Sequence, residues 1–335
     1  QAEDGIRDVE RSRGLGDVYK RQADIALYGG GRKMFGEITI STYASAKTKD
    51  FLKAAVLRYG LVIFDEAHHL TGELSREIAK RLVAPYRIGL TATPGSKDDE
   101  ELLSELIGDV IRVTGFRELV EKGHLAPFDY KRIYVKLTEE EEIEYRALME
   151  IYLNYVKKYN VDDEIERFRL LLKDSVRDPN ARKAVIARLK AKKIALNAKM
   201  KFEVLQQLLD KHRDDKVIIF TRHQETAKRI SIMFGIPYIV GEMSKDERKE
   251  ILSMFKKGIV TKLSTAEVLD EGIDIPSARV GIILAGKPSK RQLIQRIGRL
   301  LRPEKGKRAI IYEIVTSRTY DYFASRKRRI RRGEL

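Results

Sequence analysis

Apolar positions along this chain fall into two rhythms that alternate. Short unbroken runs, "EITIST" (37–42), "LVIFDE" (61–66) and "RIGLTAT" (87–93), have the length and content of strands buried on both faces. Between and after them, "TYASAKTKDFLKAAVLRYG" (42–60), "SREIAKRLV" (75–83) and "DEELLSELIGDVI" (99–111) carry apolar residues at helical spacing. The first of these helices is expected to run to Gly60, as a C-terminal cap. Strand and helix in alternation from Ala23 to Phe128 predict a parallel sheet with helices on its faces.

One more strand is expected at "DYKRIYVKL" (129–137), and there the pattern changes. Residues 138–215 contain one Pro and no Gly, with dense charge and with Leu and Tyr at helical spacing. "TEEEEIEYRALMEIYLNYVKKY" starts on Thr followed by Glu in the first turn, which is a helix start. A helical insertion, interrupted near "RDPNA", is predicted. From Lys216 the alternation resumes. "KVIIFT", "IPYIV", "VTKLST", "VGIILAG" and "RAIIYEIV" read as strands; "QETAKRISIMF", "SKDERKEILSMFKKG" and "SKRQLIQRIGRLL" read as helices. The expected division is 23–128, a first domain; 129–215, a strand with a helical insertion or linker; and 216–335, a second domain.

Residues 1–22 fit neither rhythm. Reverse translation of residues 1–8 and 12–22 spells the two constant parts of a transposon-based sequencing adapter, with Val9-Glu10-Arg11 across the variable index. These residues are expected to be foreign, with the native reading frame entering near Ala23. They hold five acids and five bases, so the net charge of +16 belongs to the remainder.

Composition sharpens the picture. Lys plus Arg number 66 against 50 Asp plus Glu in 335 residues, a balance that favours a polyanionic partner, nucleic acid first. The chain has no cysteine, which excludes disulfides and zinc–thiolate sites. No apolar run is long enough to span a bilayer. The C-terminal "RKRRIRR" (326–332) is equally readable as a solvated helix end or a nucleic-acid tail.

The chemistry gathers where strands end. Asp65-Glu66-Ala67-His68 follows a strand directly, and ligands of parallel sheets bind at strand C-termini. Asp65 suits magnesium, which takes one or two carboxylates beside substrate phosphates. Glu66 suits orienting and deprotonating an attacking water. Thr91 and Thr93 end the next strand, where short hydroxyls can report on the acids. In "SKRQLIQRIGRLLRP", helical spacing puts Gln295 and Arg299 on one face with Arg302 a turn on, and Gly298 allows close approach. Guanidinium groups presented to a transferring phosphate stabilise its charge. "STAEVLDEGIDIP" (264–276) brings Thr265, Gly272 and Asp274 to another strand end, and "IIFTRHQETA" (218–227) does so for Thr221 and Arg222. Ser41 and Thr42 hold the matching place in the first half. A glycine-rich phosphate loop ending in Gly-Lys-Ser/Thr is expected ahead of the acids, and no stretch of the chain supplies it; it is expected to have been lost upstream of Ala23.

Taken in order, S-T-Y, D-E-A-H, T-A-T-P, F-T-R, D-E-G-I-D and Q-R-x-G-R-x-x-R resemble the motifs of superfamily 2 DExH-box helicases and translocases, over nearly the whole chain from Ala23. Within that superfamily, "IFDEAHHL", "RIGLTATP", "IIFTRH" and "VLDEGIDIP…GRLLRP" are most similar to the XPB-type DNA repair helicases in their short archaeal form. The resemblance implies two RecA-like parallel-sheet domains, the first incomplete, with a thumb-like helical insertion between them and ATP and Mg2+ in the cleft. It implies Asp65 and Glu66 as magnesium and water residues, and His68 and Gln295 as couplers. Arg299 and Arg302 would be arginine fingers, and Gly272 and Asp274 nucleotide-side residues. Ser41, Thr42, Thr221, Arg222 and Thr265 would contact the nucleic-acid backbone, DNA rather than RNA. It implies a prokaryotic, archaeal cytoplasm as the location.

One departure stands out. The archaeal type carries an Arg-Glu-Asp element shortly after Thr-Ala-Thr, where this chain reads Pro94-Gly95-Ser96-Lys97-Asp98-Asp99. Restriction-type and remodeller-like translocases, and a passive nucleic-acid clamp without hydrolysis, are the alternatives. Without a phosphate loop the chain as it stands is expected to hydrolyse ATP poorly.

Overall fold

A computed structural model describes residues 24–91, 95–111, 116–266, 278–284 and 308–327. The chain divides into two units, Gln1–Thr114 and Gly115–Leu335.

In the first unit, β1 (Ile25–Gly29) pairs antiparallel with β2 (Arg32–Lys33) and parallel with β3 (Ile38–Ser41). Gly30 and Gly31 join β1 to β2 with φ of 58° and 84°, the left-handed pair that a two-residue hairpin turn requires. Two short helices follow, α1 (Tyr43–Ala46) and α2 (Lys49–Ala55). This corrects the single helix expected to end at Gly60. Thr48 caps α2 through its hydroxyl on the Phe51 amide, which starts a new helix where one was expected to continue, and α2 closes on Val56.

β4 (Leu61–Asp65) and β5 (Tyr86–Leu90) form a separate parallel pair, and α3 (Glu73–Arg81) connects them. α4 (Lys97–Leu106) follows, opened by a Ser96–Asp99 capping box. Phe51, Leu52, Phe64, Leu70, Ile78, Leu103 and Leu106 make the core. Arg87 of β5 holds this unit together from within. Its guanidinium donates to the carbonyls of Ala79, Leu82, Ala84 and Leu106, satisfying helix-end groups of both α3 and α4.

The second unit is built on six parallel strands in the order β6-β11-β10-β7-β9-β8. These are β6 (Phe128–Val135), β7 (Val217–Thr221), β8 (Tyr238–Ile239), β9 (Lys262–Ala266), β10 (Val280–Ile283) and β11 (Ala309–Thr316). Alternate residues enter two cores. Ile218 and Phe220 join Phe255 and Leu263 on one face, while Val217 and Ile219 join Leu205, Ile230 and Ile282 on the other.

α5 (Phe116–Glu121) begins this unit, and α10 (Gln224–Phe234), α11 (Lys245–Lys257) and α12 (Tyr320–Lys327) complete its described helices. The strand set apart at 129–137 belongs to this sheet: β6 runs beside β11 in register from Phe128↔Ala309 to Val135↔Thr316.

The expected helical segment is four helices, α6 (Glu139–Val156), α7 (Glu164–Asp174), α8 (Pro179–Leu196) and α9 (Lys199–Lys211). Pro179 at the first turn of α8 explains the interruption at "RDPNA". Buried alanines at 181, 184, 187, 191 and 195 let α8 lie close against its neighbours. The segment is fastened to the sheet where the Thr316 hydroxyl donates to the Ala195 carbonyl, and within it Glu141 of α6 accepts from the Lys199 amide at the start of α9.

A buried ion pair joins the first turn of α9 to the rest. Lys201, fully buried, donates to Asp321 at 2.6 Å and to the Leu284 carbonyl at 2.7 Å. Among the described residues no helix is long and apolar enough to cross a membrane.

Candidate active site

β4 ends on Asp65, and the chain turns sharply into a 3-10 helix, Ala67–Thr71. Glu66 makes that turn with φ 49° and ψ 50°. A left-handed conformation costs a residue with a Cβ roughly 1–2 kcal/mol. Such strain at the end of a strand, on an acid, marks a place where geometry is held for use.

Several contacts hold it. Asp65 Oδ1 accepts from the Glu66 amide at 2.9 Å. His68, buried, sets Nδ1 3.2 Å from Glu66 Oε2 and 3.1 Å from Thr91 Oγ1. The contact with Thr91 is at hydrogen-bond distance, and the Glu66 carboxylate lies at ion-pair distance from the same nitrogen. Thr91 follows β5 directly, so the two parallel strands deliver Asp65, Glu66, His68 and Thr91 to one end. Asp65 is exposed, and Oδ2 takes no hydrogen bond among the described residues.

Tyr43, which the sequence offered no reason to single out beyond its place after Ser41-Thr42, also reaches this turn. Its phenol donates to the Asp65 carbonyl at 2.9 Å, and its ring lies 5.6 Å from that of His69. Burial first, then the charges of Asp65 and Glu66, push the phenol far above the usual tyrosine range, so it stays a donor.

The hydroxyls of Ser41 and Thr42 serve local structure. Ser41 Oγ donates to the Thr42 carbonyl, and Thr42 Oγ1 accepts from the Ser45 amide as the cap of α1. A phosphate approaching Thr42 would compete with that cap.

In the second unit the strand-end residues divide. Thr221 is fully buried, its hydroxyl within 3.2 Å of the His223 and Thr265 carbonyls. Its side chain therefore braces β7 against β9 and presents nothing to an outside phosphate. Arg222 Nη1 and the hydroxyls of Ser264 and Thr265 are buried with no hydrogen-bond partner among the described residues. Lys192 on α8 lies near Arg222. Burial holds its ammonium below the usual lysine range, and the Arg222 charge adds to that against the pull of Tyr320. Two neighbouring cations with an orphaned guanidinium nitrogen suit a phosphate. Nothing in the highly basic stretch around Lys192 distinguished it in the sequence.

Thr93, Gly272, Asp274, Gln295, Arg299 and Arg302 lie outside the described residues. So does the helix expected at "SKRQLIQRIGRLL".

No group of three or more His, Cys, Asp or Glu is poised to hold a metal among the described residues. A lone exposed carboxylate at a strand end, with one oxygen unbonded, fits a magnesium ion that arrives with nucleotide phosphates and keeps its waters, rather than a resident ion in a protein cage.

The family described as ERCC3/RAD25/XPB C-terminal helicase matches residues 182–331, and the one described as type III restriction enzyme, res subunit, matches residues 8–96, beginning inside the segment expected to be foreign. The chain is 38% identical to the DNA 3'-5' translocase XPB2 of Sulfurisphaera tokodaii, over 91% of this chain and 69% of that protein. It is 27% identical to the DNA 3'-5' helicase XPB of Mycobacterium tuberculosis, over 91% of this chain and 50% of that one. Against the general transcription and DNA repair factor IIH helicase/translocase subunit XPB of Schizosaccharomyces pombe the identity is 28%, over 86% of this chain and 32% of that one. The chain thus spans from about a third to about two thirds of these relatives. Among solved structures, the Hef helicase domain of Pyrococcus furiosus shares the fold at a TM-score of 0.55 and 19% identity, covering 94% of this chain and 86% of that one.

Proposed function

The chain belongs to the ERCC3/RAD25/XPB family of superfamily 2 helicases, and from that premise we propose that it is the motor portion of an ATP-driven DNA translocase moving 3' to 5', acting in the cytoplasm in DNA repair or transcription. The observation that carries the reading is the turn after β4: a strained Glu66 tied to buried His68, which in turn meets Thr91 from the neighbouring strand.

In this reading Glu66 orients the attacking water and takes its proton. Asp65 presents its unbonded oxygen to magnesium, which when bound neutralises charge on the phosphates of ATP. His68 passes the state of the acid to Thr91, and Gln295 is assigned a coupling role by its place in the motif Q-R-x-G-R-x-x-R. Arg299 and Arg302 stabilise the transferring phosphoryl group, and Gly272 and Asp274 lie against the nucleotide. Ser41, Thr42 and Arg222 face the DNA backbone, while buried Thr221 and Thr265 support them where β7 meets β9. Lys192 joins Arg222 on the same phosphate.

The deciding experiment compares the 335-residue chain with a protein extended upstream from the source DNA. The extended protein should hydrolyse ATP, faster with duplex DNA, and Glu66→Gln should lower kcat by about 10²-fold or more. The 335-residue chain should bind DNA with an affinity that falls steeply with salt, and hydrolyse little. An extended protein that binds DNA but never hydrolyses ATP would leave a passive clamp as the function.

A further inference from the structure

Tyr43 occupies a position that the roles above leave unexplained. It is the first residue of α1, directly after Thr42, yet its phenol ends on the main chain of the acid turn, twenty-two residues later. The bond it makes is to the Asp65 carbonyl. That oxygen belongs to the peptide plane joining Asp65 to Glu66, so fixing it fixes the rotation that places Glu66 at φ 49°. A residue with a Cβ leaves the left-handed region unless neighbours restrain it. Local bonds restrain it, the Glu66 amide donating to Asp65 Oδ1 and the Glu66 carbonyl accepting from the His69 amide, as does His68 beside the carboxylate; Tyr43 is the restraint that reaches the preceding peptide from another element. The Tyr43 ring beside His69, whose ring is 4.3 Å from that of His68, fastens the same turn a second time.

The other end of the link is mechanical as well. Thr42 caps α1, accepting from the Ser45 amide at 3.2 Å and lying 3.1 Å from the Ser45 hydroxyl. A phosphate that draws the Thr42 hydroxyl away loosens a helix of only four residues, and Tyr43 is the first of them.

We propose that Tyr43 is a positioning residue that couples the DNA-facing segment Ser41-Thr42 to the acid turn, holding Glu66 in its strained conformation and transmitting DNA occupancy to it. The proposal rests on the reading of Ser41 and Thr42 as DNA contacts and names a route by which DNA would stimulate hydrolysis.

The test uses the 335-residue chain and Tyr43→Phe, which removes one oxygen and keeps the ring. Amide hydrogen exchange is followed by mass spectrometry with and without a duplex oligonucleotide, and DNA affinity is measured by fluorescence anisotropy. Without DNA, the amides of residues 66–70 should exchange roughly three- to tenfold faster in Tyr43→Phe, the factor expected for one lost hydrogen bond. Exchange in α3 and α4, in the same unit as Tyr43, should be the same in both proteins, which shows that the variant unit is folded. Adding DNA should change exchange at 66–70 in the parent and leave it unchanged in the variant, with DNA affinity equal within about twofold.

DNA binding with identical exchange at 66–70 in both proteins would overturn the role of Tyr43 and leave the proposed function standing. Failure of the parent to bind DNA at all would overturn the DNA reading and the coupling together. In the upstream-extended protein, Tyr43→Phe should lower kcat more in the presence of DNA than in its absence, so that the fold-stimulation by DNA falls while the KM for ATP stays near that of the parent; an equal loss with and without DNA would reduce Tyr43 to a purely structural prop.

Discussion

The strands of the two units are written in the same alphabet and meet different fates. "LVIFD" and "YRIGL" of β4 and β5 are short and mostly apolar, as are "VIIFT" and "VGII" of β7 and β10. Every residue of β7 and β10 is buried. On β4 and β5 one face stays in solvent: Ile63 is 55% exposed, Tyr86 71% and Ile88 44%. The alternate face, with Phe64, packs on the core. Composition decides that a segment can be a buried strand; the elements laid across it decide whether it is. The β4–β5 pair of the first unit therefore draws its cohesion from one face and from polar ties such as Arg87. The second unit draws on two apolar layers.

That contrast can be broken or sharpened by substitution. The largest effect is expected in the second unit, at its least typical feature. Replacing Lys201 by Met strands the buried Asp321 carboxylate, and losing one partner of such a pair costs about 3–5 kcal/mol. Urea unfolding followed at the second unit should show that loss, while Lys201→Met combined with Asp321→Leu should recover most of it. Recovery would establish that two apolar layers tolerate an apolar filling of the same space; no recovery would give the pair a role in specifying the strand end at Leu284.

Arg87→Ala should act on the first unit alone. It removes four carbonyl contacts from two helix ends, at a cost of about 2 kcal/mol. The melting of the first unit should move down and that of the second should not. A shift in both would mean that the units unfold together and the contrast is one of appearance.

The smallest effect concerns the edge of the six-stranded sheet. A hydrogen bond from Arg308, 2.8 Å away, holds the Asp129 carboxyl below its ordinary range, against a slight cost of burial. A depressed carboxylate contributes stability that is full above its unfolded pKa and disappears as pH falls through the lower, folded value. Asp129→Asn should therefore be slightly less stable than the parent at pH 6 and equal to it well below the usual carboxylate range, as judged by urea midpoints.

Much of this was legible beforehand for physical reasons that can be named. β7, β9, β10 and β11 announce themselves because strands buried in parallel sheets are largely apolar runs, and β4 and β5 are written in the same way although one face of each is open. The capping boxes at Thr138 and Ser244 mark helix starts by local hydrogen bonding alone. The acid turn was legible as a run of residue types, Asp65, Glu66 and His68 at a strand end.

What escaped was long-range. The sheet that β6 joins is set by β11, some 180 residues away, and nothing local in "DYKRIYVKL" names that partner. β1 and β2 escaped because "IALYGGGRK" is short and follows a segment set aside as foreign. Lys201 could have been noticed: it lies one turn before Leu205 and two before Leu208, on the apolar stripe of α9, where a charge requires a buried partner. The bond from Tyr43 to Asp65 had no such signal, because a tyrosine in a helical pattern reads first as core.

The left-handed turn at Glu66 also governs how this position should be interrogated. An ordinary alanine replacement there changes two things at once, deleting the carboxylate and placing a side chain without polar anchors in a conformation it avoids. The loss it produced would be a mixture of chemistry and backbone collapse. Glycine would relax the backbone and erase the acid; asparagine would tolerate the torsion but shorten the reach. Only glutamine keeps both length and anchoring while removing the charge, so at this residue the choice of substitute, more than the size of the effect, determines whether the answer concerns catalysis.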